Sequence, residues 1–497
     1  MNKYIKINSI KKNPSLIISS GILVLLVIAS FIFPENIFEN INLLSIQVRD
    51  VFGQFYLILG FLFVVFMILV GVLPFGKNRL GSQKPVYGFW SWIAMLYSAG
   101  MGAGILFRAV QEPVFMFLNP PFQANATPEI FALEYTFFQW GFTAWAFYAI
   151  FALFIGHLIF NKKQAVQLSG LFPEKLPKGF KISINSLTIL ATLIGIVSAV
   201  AIGVKQIEDS AKLLIDLPDN FFVVVCIVFV IFSLASTSSL LGLDKGIKQV
   251  SNFNILLTTF LLVFIFIQTD IVNVLKSFIL AFWQYLKDFV PMSLAYGDYN
   301  PGKQFLTDWT YYYWAFWLAW APFTGVFIAR ISRGRSYRQI VWGSLLVPAL
   351  ASFFWFSVFG SSAIQMIDNH VVQQEDFDSA FNALSQFLKQ YHWPNFSQIV
   401  VLILLFGFLI TSLDSGIFVL SMFSDKGKQD PKNSHKIIWS VFCFLVCLSL
   451  LYIGFVLPHQ DVLSTVSKIL IIVSMPFALL SLFMLWRFIK QHKSKSD

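Results

Sequence analysis

The stretch Trp309-Thr-Tyr-Tyr-Tyr-Trp-Ala-Phe-Trp-Leu-Ala-Trp320, followed by Ala321, Pro322 and Gly325, decides the reading of this chain. Trp314, Trp317 and Trp320 are three residues apart, which on a helix makes a slanted aromatic stripe along one side. Pro322 removes a backbone donor and Gly325 loosens the chain beyond it, so the spacing predicts an interrupted helix here. An aromatic wall beside a broken helix is suited to holding a cation without a counter-charge.

The surroundings must be lipid. Of 497 residues, 57% are hydrophobic and 12% charged, against about 25% charged in average soluble domains. Mean hydropathy is +0.72. That much apolar surface cannot be hidden in one soluble core. Cys226, Cys443 and Cys447 lie in apolar runs and read as small buried hydrophobes. The six histidines are scattered, and no CxxC or HExxH pattern occurs. No cofactor is expected, and a zinc or redox enzyme has almost no support. The first apolar run follows four lysines but is long for a signal peptide and lacks a small-residue cleavage site, so it reads as a retained span.

Twelve segments have, or nearly have, the length to cross roughly 30 Å of hydrocarbon. They run 15–33, 54–74, 87–110, 136–160, 186–204, 220–240, 252–270, 309–331, 339–365, 397–423, 436–457 and 462–489. Basic residues alternate between their connections. The N-terminus (Lys3, Lys6, Lys11, Lys12), alternate loops such as Arg330–Arg338 and Lys426–Lys436, and the C-terminus (Arg487 to Lys495) are rich in them. The intervening loops hold only scattered ones such as Arg49 and Lys389. The positive-inside rule then puts both termini in the cytoplasm of a multi-pass protein of the cell's inner (plasma) membrane. The net charge of +10 is a topology signal, and no nucleic acid is expected as partner. Two outer stretches, 271–290 with Phe278, Phe282, Trp283 and Leu286, and 371–391, read as amphipathic, the first lying flat and coupling the two halves.

Three spans carry further signals. Span three reads Tyr97-Ser-Ala-Gly-Met-Gly-Ala-Gly-Ile-Leu-Phe-Arg108. Gly100, Gly102 and Gly104 fit two readings: an unwound segment at mid-membrane, or close helix packing. Spans three and eight, both interrupted and five apart, would open the halves of a five-plus-five inverted repeat, and paired broken helices point to a transporter's central site. Span ten holds Thr411, Ser412 and Asp414. The hydroxyls suit sodium, or else bond back to their own helix, and a buried ionisable group is a functional candidate. Span four carries Trp140, Trp145 and Tyr148. Trp140, near the expected outer end, fits an interfacial belt, but a belt does not account for aromatics running inward to Trp320. A cage of ring faces does, each attracting a trimethylammonium by about 0.5–2 kcal/mol.

These features resemble the betaine/choline/carnitine transporter family (BCCT). The matching stretches are Ser98–Gly102, Gln111-Glu-Pro113, Trp140 through Tyr148, Leu243-Asp-Lys-Gly-Ile-Lys248, Trp314 through Gly325, Phe327-Ile-Ala-Arg-Ile-Ser-Arg-Gly-Arg335 and Thr411–Gly416. The resemblance implies an all-α integral membrane fold of twelve transmembrane helices with a LeuT-like inverted repeat in spans 3–12, often a homotrimer. The expected parts are two peripheral helices (1–86), a first repeat (87–270), an outer connection (271–308), a second repeat (309–489) and a short tail (490–497). The implied activity is transport, not enzymatic catalysis: uptake of a small zwitterionic or cationic quaternary-ammonium solute such as glycine betaine.

By the same resemblance Trp140, Trp145, Tyr148 and Trp317 match the aromatic box, Trp320 the inward path and Phe107 the pore. Ser98, Met101, Phe408, Thr411 and Ser412 match the main sodium site, with main-chain oxygens of the first three. Gly104 falls where proton-coupled choline carriers tend to have Asp, and Asn254 where sodium-independent carnitine exchangers have Arg, so sodium is the expected coupling ion. The second sodium site is reduced to Ser198, which favours one ion. Phe316 replaces a customary Trp and keeps a π face without the indole donor. Arg108 replaces a customary aromatic. It either faces the path and meets a substrate carboxylate, or pairs with Glu112 one turn on. A choline or carnitine carrier, proton-coupled or ion-independent, is the rival within the class. A membrane-embedded enzyme is the rival outside it. The short tail argues against strong osmotic gating.

Overall fold

Lipid offers no partner for backbone groups, so a spanning segment satisfies its own by coiling into a helix. The computed structural model describes residues 13–123, 126–173, 175–457 and 462–493, and among these the protein is all helical apart from a single Arg79–Ser336 bridge. The N-terminal lysines and the end of the tail fall outside the described residues.

The helices run α1 (Pro14–Ile32), α2 (Pro34–Val72), α3 (Phe89–Met101), α4 (Gly104–Phe107), α5 (Gln111–Leu118), α6 (Pro128–Trp140), α7 (Phe142–Gly156), α8 (Lys178–Lys212), α9 (Phe221–Leu241) and α10 (Lys248–Phe266). They continue with α11 (Ile271–Leu294), α12 (Lys303–Phe305), α13 (Tyr311–Ile331), α14 (Tyr337–Phe356), α15 (Ser362–Asp368), α16 (Ala383–Leu388), α17 (Pro394–Ser424), α18 (Asn433–Val456) and α19 (Val462–Lys493). Among the described residues, 11 helices are long and apolar enough to cross a membrane. The remaining expected span, 87–110, is present in pieces as α3 and α4.

The starts of these helices are marked by sequence. Pro sits in the first turn of α1, α2, α6 and α17, where its missing donor costs nothing. Ser336 and Gln339 form a capping box at α14. At the centre, α13 packs against α7, α8, α3 and α17, and every residue of α7 is buried. Helix α11 turns Val274, Ala281, Tyr285 and Phe289 inward and leaves Val272, Ile279 and Trp283 exposed. It packs against α6 and also touches α14.

Several expectations are corrected. Pro322 and Gly325 do not interrupt span eight: α13 is one continuous helix through both. A Cβ on Gly325 would lie 2.3 Å from the Phe151 Cβ, so this glycine lets α13 and α7 touch instead of loosening the chain. The break lies in span four, where Gly141 (φ −93°, ψ −134°) separates α6 from α7. Because α6 starts at Pro128, Trp140 is deep in the membrane helix and not at its edge. Residues 371–391 form two short turns of helix, not one amphipathic stretch. Cys443 and Cys447 are buried, but Cys226 is exposed on the outward side of α9.

Candidate functional site

Two breaks in the helix ladder build the site. After α3 the chain unwinds at Gly102 (φ +55°, ψ −147°), a conformation essentially restricted to glycine. A Cβ there would sit 2.9 Å from Ser412 Oγ and 3.6 Å from the Trp320 ring. Gly100 and Gly104 play the other part foreseen for this motif. A Cβ on them would meet Trp145 at 2.7 Å and Trp140 at 3.1 Å, so they admit the aromatic rings. Unwinding and close packing are both present, at different glycines.

The second break, at Gly141, frees backbone groups that must find partners. The Gln139 carbonyl accepts the Trp317 indole N–H at 3.0 Å, and the Phe142 N–H donates to the Tyr285 hydroxyl at 3.2 Å. The broken span four is thereby tied to α13 and to α11. Trp317 is fixed by the same bond, with its ring 5.2 Å from that of Trp140 at 72°. Trp320 donates to the Gly195 carbonyl at 2.9 Å, fixing it against α8.

Trp140, Phe316, Trp317, Trp320, Phe107 and Arg108 line one small cavity of about 40 Å³. Phe316 stacks on Trp320 (5.4 Å, 23°) and stands edge-on to Trp317 (4.9 Å, 89°). Trp145 and Tyr148 do not line it. They form a second layer, Tyr148 edge-on to Trp317 at 6.1 Å and Trp145 stacked on Tyr97 at 6.1 Å. Trp314 packs on Phe138 at 5.1 Å, away from the cavity. Tyr312, Tyr313 and Gln206 line it and were missed by the sequence reading. The two tyrosines lay in the decisive stretch, but only tryptophan spacing was read there. Gln206, buried with Oε1 lacking a hydrogen-bond partner, carried no sequence signal.

Behind the aromatic wall sits Glu112, fully buried. Its Oε2 accepts the Trp140 indole N–H at 3.1 Å and the Tyr313 hydroxyl. Arg108 donates to Gln111 Oε1 at 2.5 Å and lies over the rings of Phe107 (4.9 Å) and Trp309 (5.3 Å).

Of the expected cation ligands, Met101 and Ser412 line the cavity, while Ser98, Phe408 and Thr411 are not among its lining residues. Met101 closes α3 just before Gly102, and Ser98 Oγ is 3.3 Å from Thr411 Oγ1. Thr411 bonds back to the Gly407 and Phe408 carbonyls at 3.1 and 3.0 Å. Ser412 Oγ is buried and has no hydrogen-bond partner. An oxygen held in this way beside an unwound backbone is the donor chemistry a hard monovalent cation takes. Asn254 donates to Thr411 Oγ1 at 3.4 Å, next to this set. Asp414 is held instead by Ser238 and Ser415, on the far side of the same helix turn. Ser198 is buried and its hydroxyl has no hydrogen-bond partner. Among the described residues no group of three or more His, Cys, Asp or Glu forms a metal cluster.

Comparison with known proteins adds independent findings. The family model described as "BCCT, betaine/carnitine/choline family transporter" matches residues 14–497. A glycine betaine transporter (OpuD) of Bacillus subtilis is 35% identical, covering 88% of this chain and 86% of its own. An ectoine/hydroxyectoine transporter of Virgibacillus pantothenticus is 34% identical, covering 96% and 95%. The high-affinity choline transport protein of Escherichia coli is 30% identical, covering 94% of this chain and 70% of its own.

Proposed function

This chain belongs to the betaine/carnitine/choline transporter family, and from that premise we propose that it takes up a quaternary-ammonium compatible solute, glycine betaine or a close relative, by sodium symport. The observation that carries the reading is one cavity holding both halves of the chemistry. The rings of Trp140, Phe316, Trp317 and Trp320 line it, and the unwound Gly102 and the Ser412 hydroxyl lie near Trp320. A trimethylammonium cannot donate hydrogen bonds, so aromatic faces recognise it better than a carboxylate would. The rings are locked by indole bonds to Gln139 and Gly195, which lowers the ordering cost of binding. Phe107 lines the same cavity, while Trp145 and Tyr148 back the box from behind.

Sodium would be held by the main-chain oxygens of Ser98, Met101 and Phe408 and the hydroxyls of Thr411 and Ser412. Ser98 and Met101 lie in the turn of α3 that leads into the break, and Gly100 and Gly104 beside it admit Trp145 and Trp140, so ion binding would set the wall that meets the solute. That shared element is the physical basis for coupling. The two halves, 87–270 and 309–489, would rock about this fixed centre as inverted repeats. The termini face the cytoplasm in this arrangement, and the exposed apolar row of α11 suits assembly into a homotrimer.

The test is uptake of labelled glycine betaine into proteoliposomes under an inward sodium gradient. Uptake that collapses when potassium replaces sodium supports symport. Uptake unchanged by that replacement overturns it in favour of an ion-independent carrier. Choline transported in place of betaine would move the assignment within the family.

A further inference from the structure

An aromatic cage recognises an ammonium and is indifferent to what the rest of the solute carries. If the quaternary-ammonium reading of the cavity holds, the choice between a zwitterion and choline rests with some other group. Arg108 is the one charged side chain among the described residues that line the cavity. It is 8% exposed, and a guanidinium kept in so apolar a place marks function more often than packing.

The groups around it join the cage to the guanidinium. Glu112 receives Trp140 and Tyr313 on Oε2, while its Oε1 has no hydrogen-bond partner. The carboxylate is close enough to Arg108 to act on it electrostatically, but its hydrogen bonds brace the cage. An indole whose N–H donates to a carboxylate gains electron density in its ring, which strengthens its pull on a cation. The guanidinium donates to Gln111 Oε1, lies over the rings of Phe107 and Trp309, and has the Tyr312 hydroxyl beside it. Arginine has five donors in a planar fork that matches a carboxylate. A bound betaine would therefore align with its ammonium on the Trp140 side and its carboxylate at Arg108.

We propose that Arg108 binds the carboxylate of the transported solute and makes the site select zwitterions over choline. This rests on the function proposed above and names the substrate class within it.

The experiment measures binding to purified full-length protein in sodium, by tryptophan fluorescence and calorimetry. The probes are glycine betaine, its methyl ester and choline. The ester keeps the ammonium and removes the carboxylate charge. The wild type should prefer betaine over the ester by on the order of tenfold or more. Arg108→Gln should lose most of that preference, with ester and choline binding unchanged or tighter because Glu112 is then uncompensated. Arg108→Lys, which keeps the charge without the fork, should fall between. A wild type indifferent to the carboxylate would overturn the proposal. So would an Arg108→Gln protein that keeps the betaine preference, or one that weakens all three probes alike, since that is the signature of a brace. If Arg108→Gln does not fold, Arg108→Lys decides: an undiminished preference for betaine over the ester counts against the fork. Failure of the functional reading looks different, because the wild type would then bind none of the three.

Discussion

Replacing Trp317 by Leu gives the sharpest test of the cage. Trp317 is fully buried, and its ring is fixed by the Gln139 carbonyl at 3.0 Å, by Trp140 edge-on at 5.2 Å and by Tyr313 stacked at 5.9 Å. A desolvated ring face is worth about 2 kcal/mol to a cation. At 1.4 kcal/mol per tenfold, losing it weakens glycine betaine about 30-fold. Trp317→Phe keeps a face but drops the tie to Gln139, which costs about 1 kcal/mol or roughly fivefold. The assay compares betaine with 3,3-dimethylbutanoate, which has the same shape and carboxylate but carbon in place of the ammonium nitrogen. Binding is measured by calorimetry on folded, monodisperse protein, because removing a core indole also costs about 3–5 kcal/mol of stability. Betaine should weaken about 30-fold in Trp317→Leu and the isostere by no more than a few-fold. Equal losses for both would mean the ring acts by shape alone, and an unchanged betaine affinity would remove Trp317 from the site.

Three further perturbations separate the ion site from the scaffold. Ser412→Ala removes a buried hydroxyl that has no hydrogen-bond partner, so sodium-free thermal stability should hold or rise. The rise in melting temperature on adding sodium should shrink or vanish, and a full sodium-induced rise would exclude Ser412 as a ligand. Gly102→Ala forces a Cβ into a glycine-only conformation 2.9 Å from Ser412 Oγ, a strain of about 1–3 kcal/mol. The sodium concentration for half-maximal uptake should rise tenfold or more, and an unshifted sodium curve would show that the break does not shape the ion site. Gly325→Val should abolish stable protein on size-exclusion chromatography, since even a Cβ meets Phe151 at 2.3 Å. Gly21→Val, with nothing within 4 Å, is the control that should survive.

Much of the architecture was legible because lipid makes each span satisfy its own backbone. A long apolar run therefore reports a helix almost without reference to its neighbours. The expected spans are found, and the motifs around Trp140, Trp317 and Thr411 led to the family that the comparisons confirm. The aromatic wall of Trp140, Phe316, Trp317 and Trp320 was legible for a related reason: ring faces at helical spacing are a local pattern.

What only the tertiary structure decided is where the helices break and which way the rings face. Pro322 looked like the break and is not, while Gly141 is one. A break persists where distant side chains take up the freed groups, as Trp317 does for Gln139 and Tyr285 for Phe142. Those partners lie 178 and 143 residues away in sequence. Trp145 and Tyr148 carried the right residue types but pack one layer behind, because α7 is enclosed on all sides and Gly100 and Trp317 receive their rings. Arg108 and Glu112 were visible as a pair one turn apart. Only the fold showed that Glu112 braces the cage through Trp140 and Tyr313 and that Arg108 borders the cavity. The sequence by itself determined the membrane helices and the family, since both rest on local hydropathy and residue order. The site was left to tertiary structure, since a cavity exists only between elements that the chain brings together from afar.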